Sequence, residues 1–90
     1  MNKQEIIETI SKGAKGLFVL KIEYRERDGS NEGDRFVEPY SMRDVGTDKE
    51  AFFGFDIAKD GIRRFSIDRI LKVEITTEKF NPRNGWSVEF

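Results

Sequence analysis

The hydrophobic period of the chain changes once, near residue 16. Before that point Ile6, Ile7, Ile10 and Ala14 recur at helical spacing and form an apolar stripe on a polar segment. Asn2 followed by Glu5 has capping-box spacing, and Gly13 and Gly16 are stop signals, so a helix is predicted over 2–13. After it the period is two. In LFVLKIEYRE, Phe18, Leu20, Ile22 and Tyr24 alternate with Val19, Lys21, Glu23 and Arg25, the pattern of a half-buried strand. RDGSNEGD (27–34) reads as a polar loop. RFVEPYSM resumes extended structure, but Pro39 cannot donate to a ladder, which predicts an edge strand or a bulge. RDVGTDKE (43–50) reads as a second loop.

AFFGFDI places Ala51, Phe53, Phe55 and Ile57 on one face, taken as the core face, and Phe52, Gly54 and Asp56 on the other. Phe52 with Ile62 then forms a second apolar patch, either under the helix or as an exposed contact surface. Gly54, in mid-strand, predicts a bend or a close backbone approach. Asp60-Gly61 suits the positive φ angles of a tight hairpin. IRRFSI puts Arg63, Phe65 and Ile67 on one face and Ile62, Arg64 and Ser66 on the other, and Asp68 is placed to cap a short turn. Leu71, Val73 and Ile75 give a further apolar face. NPRNG (81–85) is turn chemistry, and Trp86, Val88 and Phe90 alternate as an additional strand.

One helix ahead of five or six short strands is most simply buried by a curved sheet that closes on itself. The expected fold is mainly β: a small, bent, antiparallel SH3-like or Sm-like barrel of five to six strands with one N-terminal α-helix. Ninety residues make one domain, with the barrel core over 17–78 and the extra strand over 85–90.

Composition narrows the chemistry. There is no cysteine, hence no disulfide or thiolate metal site, and a reducing compartment suits the chain. There is no histidine, which removes the usual neutral-pH general base and the commonest metal ligand. Ser-His-Asp and Cys-His catalysis are excluded, and the acids are scattered among basic residues, so neither an enzyme nor a cofactor is expected. No run approaches a membrane span and the start lacks the apolar core of a signal peptide, which makes the cytoplasm the default location. Net charge is −1, against a uniformly basic nucleic-acid binder. Its distribution is uneven, however. Residues 59–72 hold five basic and two acidic side chains, whereas residues 21–50 hold six basic and nine acidic ones.

FVEPYSM, FFGFD and RRFSIDRI, in this order and spacing, resemble the WYL domain. That family has a Pro-Tyr pair in an extended segment, a Trp-Tyr-Leu strand leading into Gly-Tyr-Asp, and an Arg-x-Phe-Arg-Leu-Asp-Arg-Ile segment. The resemblance covers roughly residues 15–80, and the last segment is its most specific part. It departs where Glu50, Ala51 and Phe52 replace the Trp-Tyr-Leu signature and where Ser66 replaces the middle arginine. The resemblance implies an Sm-like barrel of the kind found beside helix-turn-helix modules in bacterial transcription regulators and in phage-defence proteins. It also implies sensing of a negatively charged ligand, nucleotide-like or single-stranded nucleic acid. Arg63 and Arg69 take the family's basic positions and Tyr40 its Pro-Tyr position. With no helix-turn-helix visible, the chain is expected to be a stand-alone sensor or to act through another chain.

The same residues admit plainer readings. Arg63 shares a face with Phe65 and Ile67, so it emerges at the barrel mouth, either paired with Asp56 or Glu38 or offered to a phosphate. Arg64 points outward as a solvated charge or an added contact. Arg69 braces a turn or reaches a ligand. Tyr40 packs the barrel or stacks on a base. Trp86, Val88 and Phe90 either cover the barrel's own edge or pair with a second copy. Two functions follow: a non-catalytic sensor binding through Arg63, Arg69, Arg64 and Tyr40, or a protein-interaction module using the sheet edge and Trp86, Val88 and Phe90.

Overall fold

A computed structural model describes residues 1–44 and 50–90; most of the second expected loop therefore lies outside the described residues. Helix α1 runs Lys3–Lys15 and is followed by strands β1 (Phe18–Tyr24), β2 (Asp34–Asp44), β3 (Glu50–Asp56), β4 (Gly61–Ser66) and β5 (Ile70–Lys79). Short 3-10 turns cover Ile67–Arg69 and Arg83–Gly85. The strands form one antiparallel sheet in the order β4-β3-β2-β1-β5.

The capping box forms as the sequence predicts. The Asn2 side chain accepts from the Glu5 amide at 2.8 Å, and the Glu5 carboxylate accepts from the Asn2 amide at 3.1 Å. The helix passes Gly13 and ends at Lys15, two residues beyond the expected limit, with Gly16 as its C-cap. Gly13 serves contact instead: a Cβ there would lie 2.5 Å from Leu20 Cδ2, so its absence lets the helix settle on β1. Ile6 and Ile10 then join Leu20, Ile22, Tyr24, Val37, Phe52, Phe65 and Ile67 in the main core. Burying side chains of this size stabilises the fold by about 1.5–3 kcal/mol each.

Expected and observed architecture differ in closure. β4 and β5 lie at opposite edges of the sheet although only the Ile67–Arg69 turn separates them. The sheet must therefore curl strongly, yet no ladder joins β4 to β5 among the described residues, and it is not closed. Two bonds tie this region together: the Ser66 amide donates to Tyr24 Oη at 2.9 Å and the Arg25 amide to the Arg69 carbonyl at 2.9 Å. Asp68 does not cap the turn. It is exposed inside it, and the N-cap residue Ser66 makes no side-chain capping bond.

Pro39 resolves to the bulge and not to an edge. β2 lies in the middle of the sheet, and its pairing with β3 slips between Pro39 and Ser41. Gly54, opposite Pro39, is the close approach: a Cβ there would meet Val37 Cγ1 at 2.3 Å.

The assumed core face of β3 is inverted. Phe52 is fully buried in the main core, stacked on Phe65 at 5.3 Å, while Ile62 stays exposed. The reason is a second cluster on the other side of the sheet, where Val19, Tyr40, Phe55 and Phe80 pack with Leu17 and Val88. Both faces of β3 are covered, so apolarity alone did not distinguish them.

Trp86–Phe90 do not form a strand. They make one isolated parallel bridge, Ser41 to Glu89, with the Glu89 amide donating to the Tyr40 carbonyl at 2.7 Å. β1 pairs with β2 only as far as Val37, so the far half of β2 has free ladder groups on that side, and the segment takes one of them. Phe90 reaches Phe52, and Trp86 meets Tyr40 edge-on at 5.2 Å. In this chain the three residues cover its own sheet.

Candidate anion-binding site

The period-two alternation of β4 sends Arg63 and Phe65 to the same face, and Phe65 enters the core while Arg63 stops at its rim. There its guanidinium lies 5.6 Å from the Tyr24 ring centre and 5.4 Å from that of Phe65. An arginine over aromatic faces is held in place without losing its charge. The turn after β4 brings Arg69 to the same place, and Arg27 arrives from the loop after β1. Arg27, Arg63, Arg64 and Arg69 border one cleft of about 220 Å³ with Tyr24 and Ser66; among the described residues Glu26 is the single acid in its lining. Four guanidiniums around so small a space create a positive potential suited to a phosphate or carboxylate group.

Arg63 does have an ionic partner, but neither Asp56 nor Glu38. Its Nη2 donates to Glu26 Oε1 at 2.5 Å. The partner lies two residues past the end of β1, just ahead of the polar loop, and the strand pattern gave no means of placing it against Arg63. Glu26 also accepts, through its other oxygen, from Arg35.

Arg35 is the residue that the sequence reading passed over. It is 5% exposed and contacts three carboxylates: Glu26, Glu32 at 2.8 Å and Asp56, itself 1% exposed, at 3.3 Å. Its Nε has no hydrogen-bond partner among the described residues. Lys59 and Arg35 hold the exposed Glu32 carboxyl below its ordinary range through hydrogen bonds and charge. The buried Arg35–Asp56 pair costs desolvation, which its several hydrogen bonds must offset. An arginine one residue into β2, following Glu32 and Asp34, was the available signal; its burial was not readable without the fold.

Tyr40 lies elsewhere. It is buried in the second cluster, its ring edge-on to Phe80 and Trp86, and it does not border the arginine cleft. Its hydroxyl donates to Glu38 Oε1 at 2.9 Å and accepts from the Arg83 amide at 3.1 Å. Burial pushes its phenol above the ordinary value, the neighbouring Glu38 carboxylate adding to the effect. Arg83 forks onto both oxygens of the nearly buried Glu38, each at 2.9 Å, and lies 3.8 Å from the Phe55 ring centre. Glu38 holds the Arg83 guanidinium even more firmly protonated than usual. This group clamps the segment after β5 to β2. Of the four residues assigned to a binding site, the fold unites the three arginines and sets Tyr40 apart.

A model described as the WYL domain matches residues 5–75, and the chain belongs to that family. The membership supports a regulatory, sensing role. No curated protein is a significant match. Among solved structures, the fold is similar to proteasome accessory factor B/C (PafBC) of Arthrobacter aurescens, with a TM-score of 0.78 at 18% identity. The likeness covers 86% of this chain but 12% of that one. No helix among the described residues is long and apolar enough to cross a membrane.

Proposed function

We propose that this WYL domain is a non-catalytic sensor that binds a negatively charged, nucleotide-like ligand or single-stranded nucleic acid at the arginine cleft. The observation that carries the reading is the convergence of Arg27, Arg63, Arg64 and Arg69 on one small space beside Tyr24. Arg63 and Arg69 supply fixed charge, Arg64 and Arg27 add it at the rim, and Glu26 is the internal acid that an incoming anion displaces from Arg63. Tyr40 stays a packing residue in this reading. Transcription regulation is the role that fits such a domain when it acts alongside a DNA-reading partner.

Binding of a dye-labelled oligothymidylate and of ADP, followed by anisotropy and calorimetry, tests the reading. Replacing Arg63 or Arg69 by Ala should weaken either ligand about tenfold, as expected for loss of one charge-assisted contact, while the protein stays folded. Equal binding by the parent and an Arg63→Ala/Arg69→Ala double variant would remove the cleft from consideration. The protein-interaction reading has less to stand on, because Trp86, Val88 and Phe90 are engaged within the chain.

A further inference from the structure

A second concavity lies on the other side of β4 from Arg63. Across the β3–β4 ladder Phe55 pairs with Ile62 and Phe53 with Arg64. This face therefore carries Ile62, Phe53 and the backbone position of Arg64, whose side chain borders the arginine cleft instead, and the opposite face carries Arg63 and Phe65. The open cleft has a volume of about 510 Å³, within the range of small-molecule sites. One wall is the sheet, with Ser41, Arg43, Phe53 and Ile62; the other is the clamped segment, with Trp86 and Ser87. Residues 86 and 87 fall outside the span that the family model matches, so this wall is not part of the matched domain.

Three features define what fits. Ile62 is 49% and Trp86 38% exposed, two large apolar side chains left uncovered in the lining of one cleft. Trp86 is oriented by its edge contact with Tyr40 and a tilted contact with Phe55 at 6.3 Å, and Phe53 provides a second ring. Arg43 is the one charged residue among the described residues in the lining, and its guanidinium lies 5.9 Å from the Phe53 ring centre. Ser41 and Ser87 add hydroxyls to the lining. Rings and an aliphatic side chain recognise a flat apolar body, and one arginine beside them recognises a single negative group by charge complementarity.

We infer that this cleft is a second binding site, for a small planar aromatic ring carrying one anionic group, such as an aromatic carboxylate. The ring lies between Trp86 and Ile62 against Phe53, the carboxylate meets Arg43, and the serine hydroxyls complete its hydrogen bonds. The site is separate from the arginine cleft and does not depend on what that cleft binds.

The chain has a single tryptophan, so one indole N–H resonance reports this cleft directly. Naphthoate, titrated into the labelled protein, should shift that resonance and the amides of Ser41, Phe53 and Ser87 in a saturable way. The uncharged naphthamide should bind about tenfold more weakly, the value of one charge-assisted contact. Arg43 is exposed, so Arg43→Gln should leave the unfolding midpoint in place and reduce naphthoate to the affinity of naphthamide. The inference is overturned by an absence of saturable shifts at millimolar naphthoate, by equal affinity for acid and amide, or by shifts at Arg63 to Arg69 instead of Trp86.

Discussion

Two arginines share Glu26 and have different fates, because one is buried and the other is not. Arg35 is enclosed with Asp56, and removing it leaves that carboxylate buried with its principal cation gone. Arg35→Ala should therefore lower stability by about 3 kcal/mol in urea unfolding, the loss typical of a broken buried pair. Arg63 is about a quarter exposed, so Arg63→Ala should cost under about 1 kcal/mol and show itself in anion affinity. A similar stability loss in both variants would contradict this division. Tyr40 gives a pH signature. Burial raises its phenol pKa in the folded state, so the folded protein retains a proton that the unfolded chain releases. Its contribution is intact below about pH 10 and declines as pH rises through the folded value. Thermal unfolding between neutral and strongly alkaline pH should show a shallower decline in Tyr40→Phe than in the parent. Sequence indicated which arginines could form a site, since Arg63, Arg64 and Arg69 lie within one short segment. It could not supply their partner, because Glu26 lies 37 residues before Arg63 and meets it only once the sheet has curled.

Among the elements, α1 and the strands were legible because their apolar periods and the Asn2–Glu5 box are local properties. What was not legible came from contacts between elements. The inner face of β3 is set by Phe65 on one side and by the segment after β5 on the other, and neither is encoded in AFFGFDI. Gly54 and Pro39 do mark their own site, a bulge where two strands press together. Gly54→Ala must displace Val37 or the backbone at Glu38, and a loss of about 2 kcal/mol is expected in denaturant unfolding, as for other overpacked sites. The clamp depends on Glu38 in the same local way. Glu38→Ala removes both Arg83 bonds and the acceptor of the Tyr40 hydroxyl. Trp86 fluorescence should shift toward that of a solvated indole while the core near-UV signal persists, whereas an unchanged emission maximum would mean that apolar contacts alone hold the segment.

Across the whole molecule, a net charge near zero conceals a separation that the fold makes local. Within the first loop Glu32 pairs with Arg35 and Lys59 and Asp34 with Lys21, while Arg27, Arg64 and Arg69 gather with Arg63 around their own cleft. Binding there should be salt-sensitive, and each arginine engaged on a single strand contributes about 0.7 to the slope of log affinity against log salt. Amide-shift titration of the labelled protein with short single-stranded oligonucleotides and a nucleotide panel, at low and moderate salt, tests the central claim most directly. Saturable shifts confined to Arg27, Arg63 to Arg69 and their neighbours, weakening as salt rises, are the predicted result. An absence of shifts at millimolar ligand, or shifts spread evenly over the surface at every salt concentration, would contradict the sensor reading.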